Sequence, residues 1–161
     1  MLRALLRIPF LYPLVAFLLA RRVVVEGWSM YPTLAPGERA LFDTLAYRLE
    51  RPRRRDVVLA RHPTRPSVGL LKRIVAVPGD RVTVEGDGCR VEEAPDPNVS
   101  SSGGAYAAAQ VLTLGEDEYF LVGDAPDLST DARHFGPTKG RDVQGRAWMV
   151  YWPPRSIRMI Q

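Results

Sequence analysis

The apolar positions of this chain form one long block followed by many short runs. Residues 8–20 carry no charge and are apolar apart from Tyr12 and two prolines. From Val23 onward the runs shorten to strand length and are rich in β-branched and aromatic residues. They fall at 23–26, 39–42, 56–60, 70–77, 81–84, 118–122 and 146–152. Turn signals separate them, among them Pro36-Gly37-Glu38, Pro78-Gly79-Asp80 and Gly123-Asp124. Residues 44–51 read as a short helix. Residues 86–115 are weakly apolar, include Ser100-Ser101-Ser102-Gly103-Gly104, and read as a variable insertion or flexible loop. Many short strands with few helices predict a mainly β fold, an antiparallel β-sandwich or partly closed barrel.

The N-terminal block predicts a membrane-anchor helix within residues 1–22, ahead of a β-domain over residues 23–161. Its uncharged core is 13 residues long, short of the roughly 20 that cross a bilayer. Extension back to Leu2 supplies the length and includes Arg3 and Arg7, whose stems can carry their charge to the headgroups. A cleaved leader is disfavoured because Arg21-Arg22 stands where small residues belong. A buried core helix would be disturbed by Pro9 and Pro13. Basic residues flank both ends, so charge does not fix the orientation.

The 161 residues carry a net charge of +4. Part of the excess sits in a cluster at Arg48, Arg51, Arg53, Arg54 and Arg55, which reads as a solvated loop or a strip facing anionic lipid. Nucleic acid is not an expected partner, because no groove-reading helix or aromatic platform accompanies the cluster. The single Cys89, read as part of a turn, excludes an internal disulfide and a multi-cysteine metal site. His62 and His134 lack ligand spacing, so neither metal nor cofactor is expected.

Of 22 basic residues only Lys72 and Lys139 are Lys, leaving 20 Arg. Lys72 lies in the apolar run Leu70-Leu71-Lys72-Arg73-Ile74-Val75-Ala76-Val77. On a strand it shares a face with Leu70, Ile74 and Ala76. Burial favours a neutral amine, which Arg could not supply. A neutral Lys can serve as general base to a serine. Ser29, in Gly27-Trp28-Ser29-Met30-Tyr31-Pro32, is the candidate nucleophile, with its own N–H available to a developing oxyanion. Each residue also has a plain reading, Ser29 as a turn serine and Lys72 as a snorkelling or ion-paired side chain.

A third block shifts the balance. Gly123-Asp124 leads into Ser129-Thr130-Asp131-Ala132-Arg133-His134-Phe135-Gly136-Pro137 and then Gly145-Arg146. With the Ser-Met-x-Pro-Thr-Leu block and the Lys-Arg-x-x-x-x-Pro-Gly-Asp block, in this order, the chain resembles the type I signal peptidases, membrane-anchored Ser/Lys proteases. The resemblance implies Ser29 as nucleophile and Lys72 as general base. It implies Ser129 as the residue orienting the amine, and Asp131 with Arg133 as a bracing ion pair. Gly123 and Asp124 match a segment behind the lysine, and Met30 a residue packed beside the nucleophile. The chain departs from the pattern at Ala125, Ala132 and Gly27. At Gly27 some members carry a serine that supplies a second oxyanion donor.

The resemblance implies removal of signal peptides from secreted preproteins by cleavage after small residues, as in Ala-x-Ala. The catalytic domain would lie on the extracytoplasmic side of the plasma membrane, held by a single pass. Its partners would be signal peptides, membrane lipid and, indirectly, the Sec/Tat export machinery. Ala105-Tyr106-Ala107 is itself such a sequence and a candidate for self-cleavage. The self-cleaving SOS repressors share the dyad but carry a DNA-binding domain where this chain is apolar. The mitochondrial inner-membrane peptidases share the same blocks. A catalytically silent β-domain that binds lipid or peptide is the reading from a different class.

Overall fold

The structure, a computed structural model, describes residues 11–93 and 110–160. The sequence at 105–107 and residues 1–10 lie outside the described residues. α1 covers Leu11–Leu19, and among the described residues no helix is long and apolar enough to cross a membrane. α1 lies against the strand region after it. Tyr12 donates to the Asp43 carboxylate, Phe17 meets Trp148 edge-on, and Ala16 is buried. Leu14, Phe17, Leu18 and Leu19 are exposed.

Strand β1 (Arg21–Val24) starts two residues before the expected domain boundary, so Arg21 and Arg22 are strand residues paired with Phe42 and Leu41. β2 (Arg39–Asp43), β3 (Val57–Arg61), β4 (Gly69–Ala76), β5 (Arg81–Glu85), β8 (Glu118–Val122) and β10 (Val143–Trp152) follow the sequence pattern closely. The helix expected over 44–51 is one turn, α2 (Ala46–Leu49). Asp43 accepts the N–H groups of Leu45 and Ala46 at its start.

Among the described residues every strand pair is antiparallel. The larger sheet runs β1-β2-β10-β3-β4-β8-β9, with β11 (Arg158–Met159) also on β10 and β9 formed by Thr138–Lys139. Its path ends at β1 and β9, so the mainly antiparallel reading holds and no closed barrel forms among the described residues. The second sheet, β6-β5-β7, corrects the sequence reading of residues 86–115. Both flanks of that stretch are strands, β6 (Gly88–Glu92) and β7 (Gln110–Thr113), which zip onto β5. Cys89 is therefore a strand residue opposite Val84 and not part of the turn, and burial pushes its thiol pKa up.

Central strands of the large sheet are covered on both faces. Along β3, Val57 and Leu59 join one core while Val58 and Ala60 join another. Along β8, Tyr119 and Leu121 face that second core, while Phe120 and Val122 face a third. The expected alternation of β4 is broken by a bulge between Ile74 and Ala76, so these two residues enter different cores. A bulge inserts one residue and switches the face of the residues beyond it. The arginine cluster is largely solvated, as its composition implies, with Arg48, Arg51, Arg53 and Arg55 exposed and Arg54 half-buried. Arg54 reaches the fully buried Asp80 carboxylate at 2.6 Å, and Arg53 pairs with Glu50.

Candidate active site

Lys72 sits in β4 opposite the buried Val58 and is itself 4% exposed. Its Nζ donates to Ser129 Oγ at 3.0 Å. Ser129 in turn donates to Asp131 Oδ2 at 2.6 Å. The same carboxylate accepts the Gly123 N–H at 2.9 Å. Arg133 completes the chain with Nε to Oδ1 at 2.8 Å and Nη2 to Oδ2 at 2.9 Å. Both partners of this ion pair are almost fully buried.

The electrostatics follow from that enclosure. Burial pushes the Lys72 pKa below its usual value, and the Arg133 charge pushes the same way, against the opposing pull of Asp131 and Asp124. Burial alone would raise the Asp131 carboxyl. Its bonds from Arg133, Gly123 and Ser129 overcome that and hold it below the usual range. The result is a lysine shifted toward neutrality beside a fixed, hydrogen-bonded carboxylate.

The serine loop docks on the same segment. Ser29 is half-buried and its carbonyl accepts the Ala125 N–H at 3.0 Å. A Cβ on Gly123 would lie 2.3 Å from Ser129 Oγ and 2.5 Å from Ser29 O. Only a glycine lets these two walls approach so closely. Met30 is buried in the core beneath the loop, with Val25, Leu34 and Ala147. Among the described residues the Lys72 amine bonds Ser129 rather than Ser29, and neither the hydroxyl nor the N–H of Ser29 is engaged. Catalytic hydrogen bonds commonly tighten only when substrate is bound.

Asp124 forms a two-point ion pair with Arg73, the neighbour of Lys72, at 2.8 and 2.7 Å. Arg73 also donates to Thr33 Oγ1 at 3.1 Å, which ties β4 to the serine loop. Thr33 was not singled out by the sequence reading. Its block contained it, but nothing local indicates which threonine meets an arginine 40 positions away. Gly27 has a backbone φ of +75°, a left-handed conformation that a serine adopts only with strain. The glycine at this departure from the family pattern is thus the residue its backbone favours.

The two histidines are structural. His62 is buried against Phe135 and accepts the Thr64 N–H on Nδ1. His134 accepts the Asp131 N–H and closes a capping box on the short helix α3 (Ala132–Phe135). Among the described residues no cluster of His, Cys, Asp and Glu could hold a metal ion.

The fold and the site together define a class of mainly β proteins in which a serine loop and a buried lysine converge on one glycine-bearing segment. The chain belongs to the signal peptidase, peptidase S26, family, whose profile matches residues 1–152. It is 35% identical over 131 residues to the mitochondrial ATP-independent inner membrane protease subunit 1a of Arabidopsis thaliana, covering 81% of this chain and 69% of that protein. It is 30% identical over 143 residues to a probable signal peptidase I-2 of Synechocystis, covering 84% of this chain and 65% of that one. A crystal structure of a signal peptidase I from Enterococcus faecalis aligns with a TM-score of 0.44 at 26% identity, covering 60% of this chain and 97% of that chain. The chain spans about two thirds of the length of the curated relatives it matches.

Proposed function

We propose that this protein is a membrane-anchored serine endopeptidase that removes N-terminal signal peptides by a Ser29/Lys72 dyad, cutting after small residues as in Ala-x-Ala. One observation carries the reading. The buried Lys72 amine is held by Ser129, and Ser129, Ser29 and Gly123 crowd within one side chain's width of each other. Ser129 gives its own proton to Asp131, so it accepts from the amine. The lone pair of neutral Lys72 is then left for the Ser29 hydroxyl.

In this reading Lys72 takes the Ser29 proton as Oγ attacks the carbonyl after the small residue. The oxyanion forms against the Ser29 N–H. Lys72 returns the proton to the departing amine, and a water activated by the same amine releases the acyl group. No cofactor enters. Asp131 and Arg133 keep Ser129 in place, and Arg73 with Asp124 keeps the lysine strand against the serine loop. The apolar segment ahead of β1 supplies the anchor, with the exposed leucines of α1 facing lipid and the catalytic domain on the extracytoplasmic side.

The test is incubation of the purified protein in detergent with a preprotein whose signal ends in Ala-x-Ala, beside Ser29→Ala and Lys72→Ala. Cleavage after the second Ala by the unmodified protein alone supports the dyad. Cleavage by the lysine variant removes Lys72 from the role of base. Absence of cleavage by every form favours a silent binding domain or a narrower substrate class. Carbonate extraction of membranes tests the anchor, since a protein released by the wash is not spanning.

A further inference from the structure

We infer that Arg158, on the two-residue C-terminal strand β11, is a positioning residue for the nucleophile, acting on the serine loop through Thr33 and Glu38. This rests on the Ser29/Lys72 reading above.

The loop that carries Ser29 leaves the core at Val25 and returns at Glu38. Its stem is closed by the Val25 N–H on Glu38 O at 2.8 Å and the Gly37 N–H on Val25 O at 2.9 Å. Its tip is fixed where Ser29 O meets the Ala125 N–H. Between stem and tip the loop is held at Thr33. Arg73 takes the Thr33 hydroxyl, and Arg158 Nη2 donates to the Thr33 carbonyl at 2.5 Å. The guanidinium of Arg158 is itself oriented by both oxygens of Glu38, each at 2.8 Å, and by Ser156 O at 2.9 Å. Glu38 Oε2 also caps the Ala35 N–H at 3.0 Å.

Thr33 is therefore gripped from two sides by two arginines, each locked to its own carboxylate. One of those arginines neighbours the proposed base, and the other comes from the end of the chain. The Glu38 side chain is 9% exposed and that of Arg158 38%, so the pair is a partly enclosed anchor rather than a surface contact. Only a planar fork with several N–H donors can meet Glu38 Oε1, Glu38 Oε2, Ser156 O and Thr33 O together. A lysine could keep the charge opposite Glu38 but not the geometry. Without the fork the loop retains its stem, its tip and the Arg73 bond to the Thr33 hydroxyl, while the stretch joining Ser29 to Glu38 loses the brace on the Thr33 carbonyl. The distance from Ser29 to Lys72 is set by such braces, and a displacement of about 1 Å costs about a hundredfold in rate.

The experiment compares the full-length protein with Arg158→Ala, Arg158→Lys and Met159→Ala on an Ala-x-Ala peptide in detergent, with Ser29→Ala as blank. Melting curves and amide hydrogen exchange of residues 28–35 accompany the rates. Expected are a roughly ten- to hundredfold fall in kcat at unchanged KM for Arg158→Ala, and faster exchange across 28–35. Arg158→Lys regains thermal stability but not kcat. Met159→Ala, on the same strand with an exposed side chain, matches the unmodified protein. Unchanged kcat and exchange in Arg158→Ala would overturn the inference. So would a kcat loss that follows the folded fraction and is restored by Arg158→Lys. If the unmodified protein does not cleave while Arg158→Ala still speeds exchange, the brace stands and the catalytic reading fails.

Discussion

Gly123→Ala is the sharpest single perturbation of the site. The added carbon would sit 2.3 Å from Ser129 Oγ, 2.7 Å from Ser129 Cβ and 2.5 Å from Ser29 O. A carbon and an oxygen rest at about 3.3 Å or more. The Ser129 hydroxyl must therefore retreat by about 1 Å, and the Ser29 carbonyl by almost as much. The φ of Gly123 is not in the left-handed region, so the backbone accepts an alanine and the effect is purely steric. Overpacking of this kind costs about 1–3 kcal/mol, which for a chain of this size is about 2–4 °C of Tm per kcal/mol. The catalytic cost is separate. Pushing Ser129 away loosens the Lys72 amine, and pushing Ser29 O moves the nucleophile. A displacement of about 1 Å predicts a kcat loss of about a hundredfold, equivalent to about 2.7 kcal/mol of barrier. The assay is initial rates on an Ala-x-Ala peptide, with kcat and KM resolved, well below the Tm found by circular dichroism. Gly69→Ala, on the same sheet and with only Leu59 Cδ1 at 3.7 Å, is the control. A folded Gly123→Ala protein with unaltered kcat would refute both the close approach and its role.

Three further outcomes are expected. Because burial lowers the Lys72 pKa, activity should rise with pH through a limb below 10.5 as the amine loses its proton; Lys72→Arg, charged throughout, should be inactive at every pH in the same rate–pH series. Asp131→Asn leaves the buried Arg133 charge without its partner and should cost about 3–5 kcal/mol in urea unfolding at neutral pH. In the unmodified protein the Asp131 pKa is lowered, so its contribution is complete above the unfolded value of 3.8 and fades as pH falls through the folded value, which urea unfolding across the acid range reads directly. Gly27→Ser places a side chain at φ +75° and should lower the unfolding free energy by about 1–2 kcal/mol in the same assay.

Much of this molecule was legible in one dimension. The bounds of β8 at Glu118–Val122 coincide with the apolar run that predicts it. β2, β3, β4 and β5 lie within a residue or so of theirs, because strands between Gly, Pro and Asp punctuation are specified locally. Ser29 and the Ser129-Thr130-Asp131-Ala132-Arg133 block are assigned through the family resemblance, and Lys72 stands out for a local reason. One of two lysines against 20 arginines, placed in an apolar run, is anomalous wherever the chain folds. The short strands β9 and β11 left no signal, since two residues have no periodicity and exist only because β8 and β10 offer an edge. β6 and β7 were obscured by the low apolar content around them, and β5 supplies what they lack.

What the sequence by itself determined is the inventory: mainly antiparallel strands, a serine in a turn, and a lysine that burial would neutralise. Tertiary structure alone decided the partners. It put Gly123 between Ser29 and Ser129, gave Arg54 to Asp80, and moved Ala76 off the Ile74 face by a bulge. It also joined Arg158 to Glu38 across 120 positions. Local propensity is a property of neighbours along the chain. A hydrogen bond between distant residues depends on the sheet register that brings them together, and no short window of sequence contains that register.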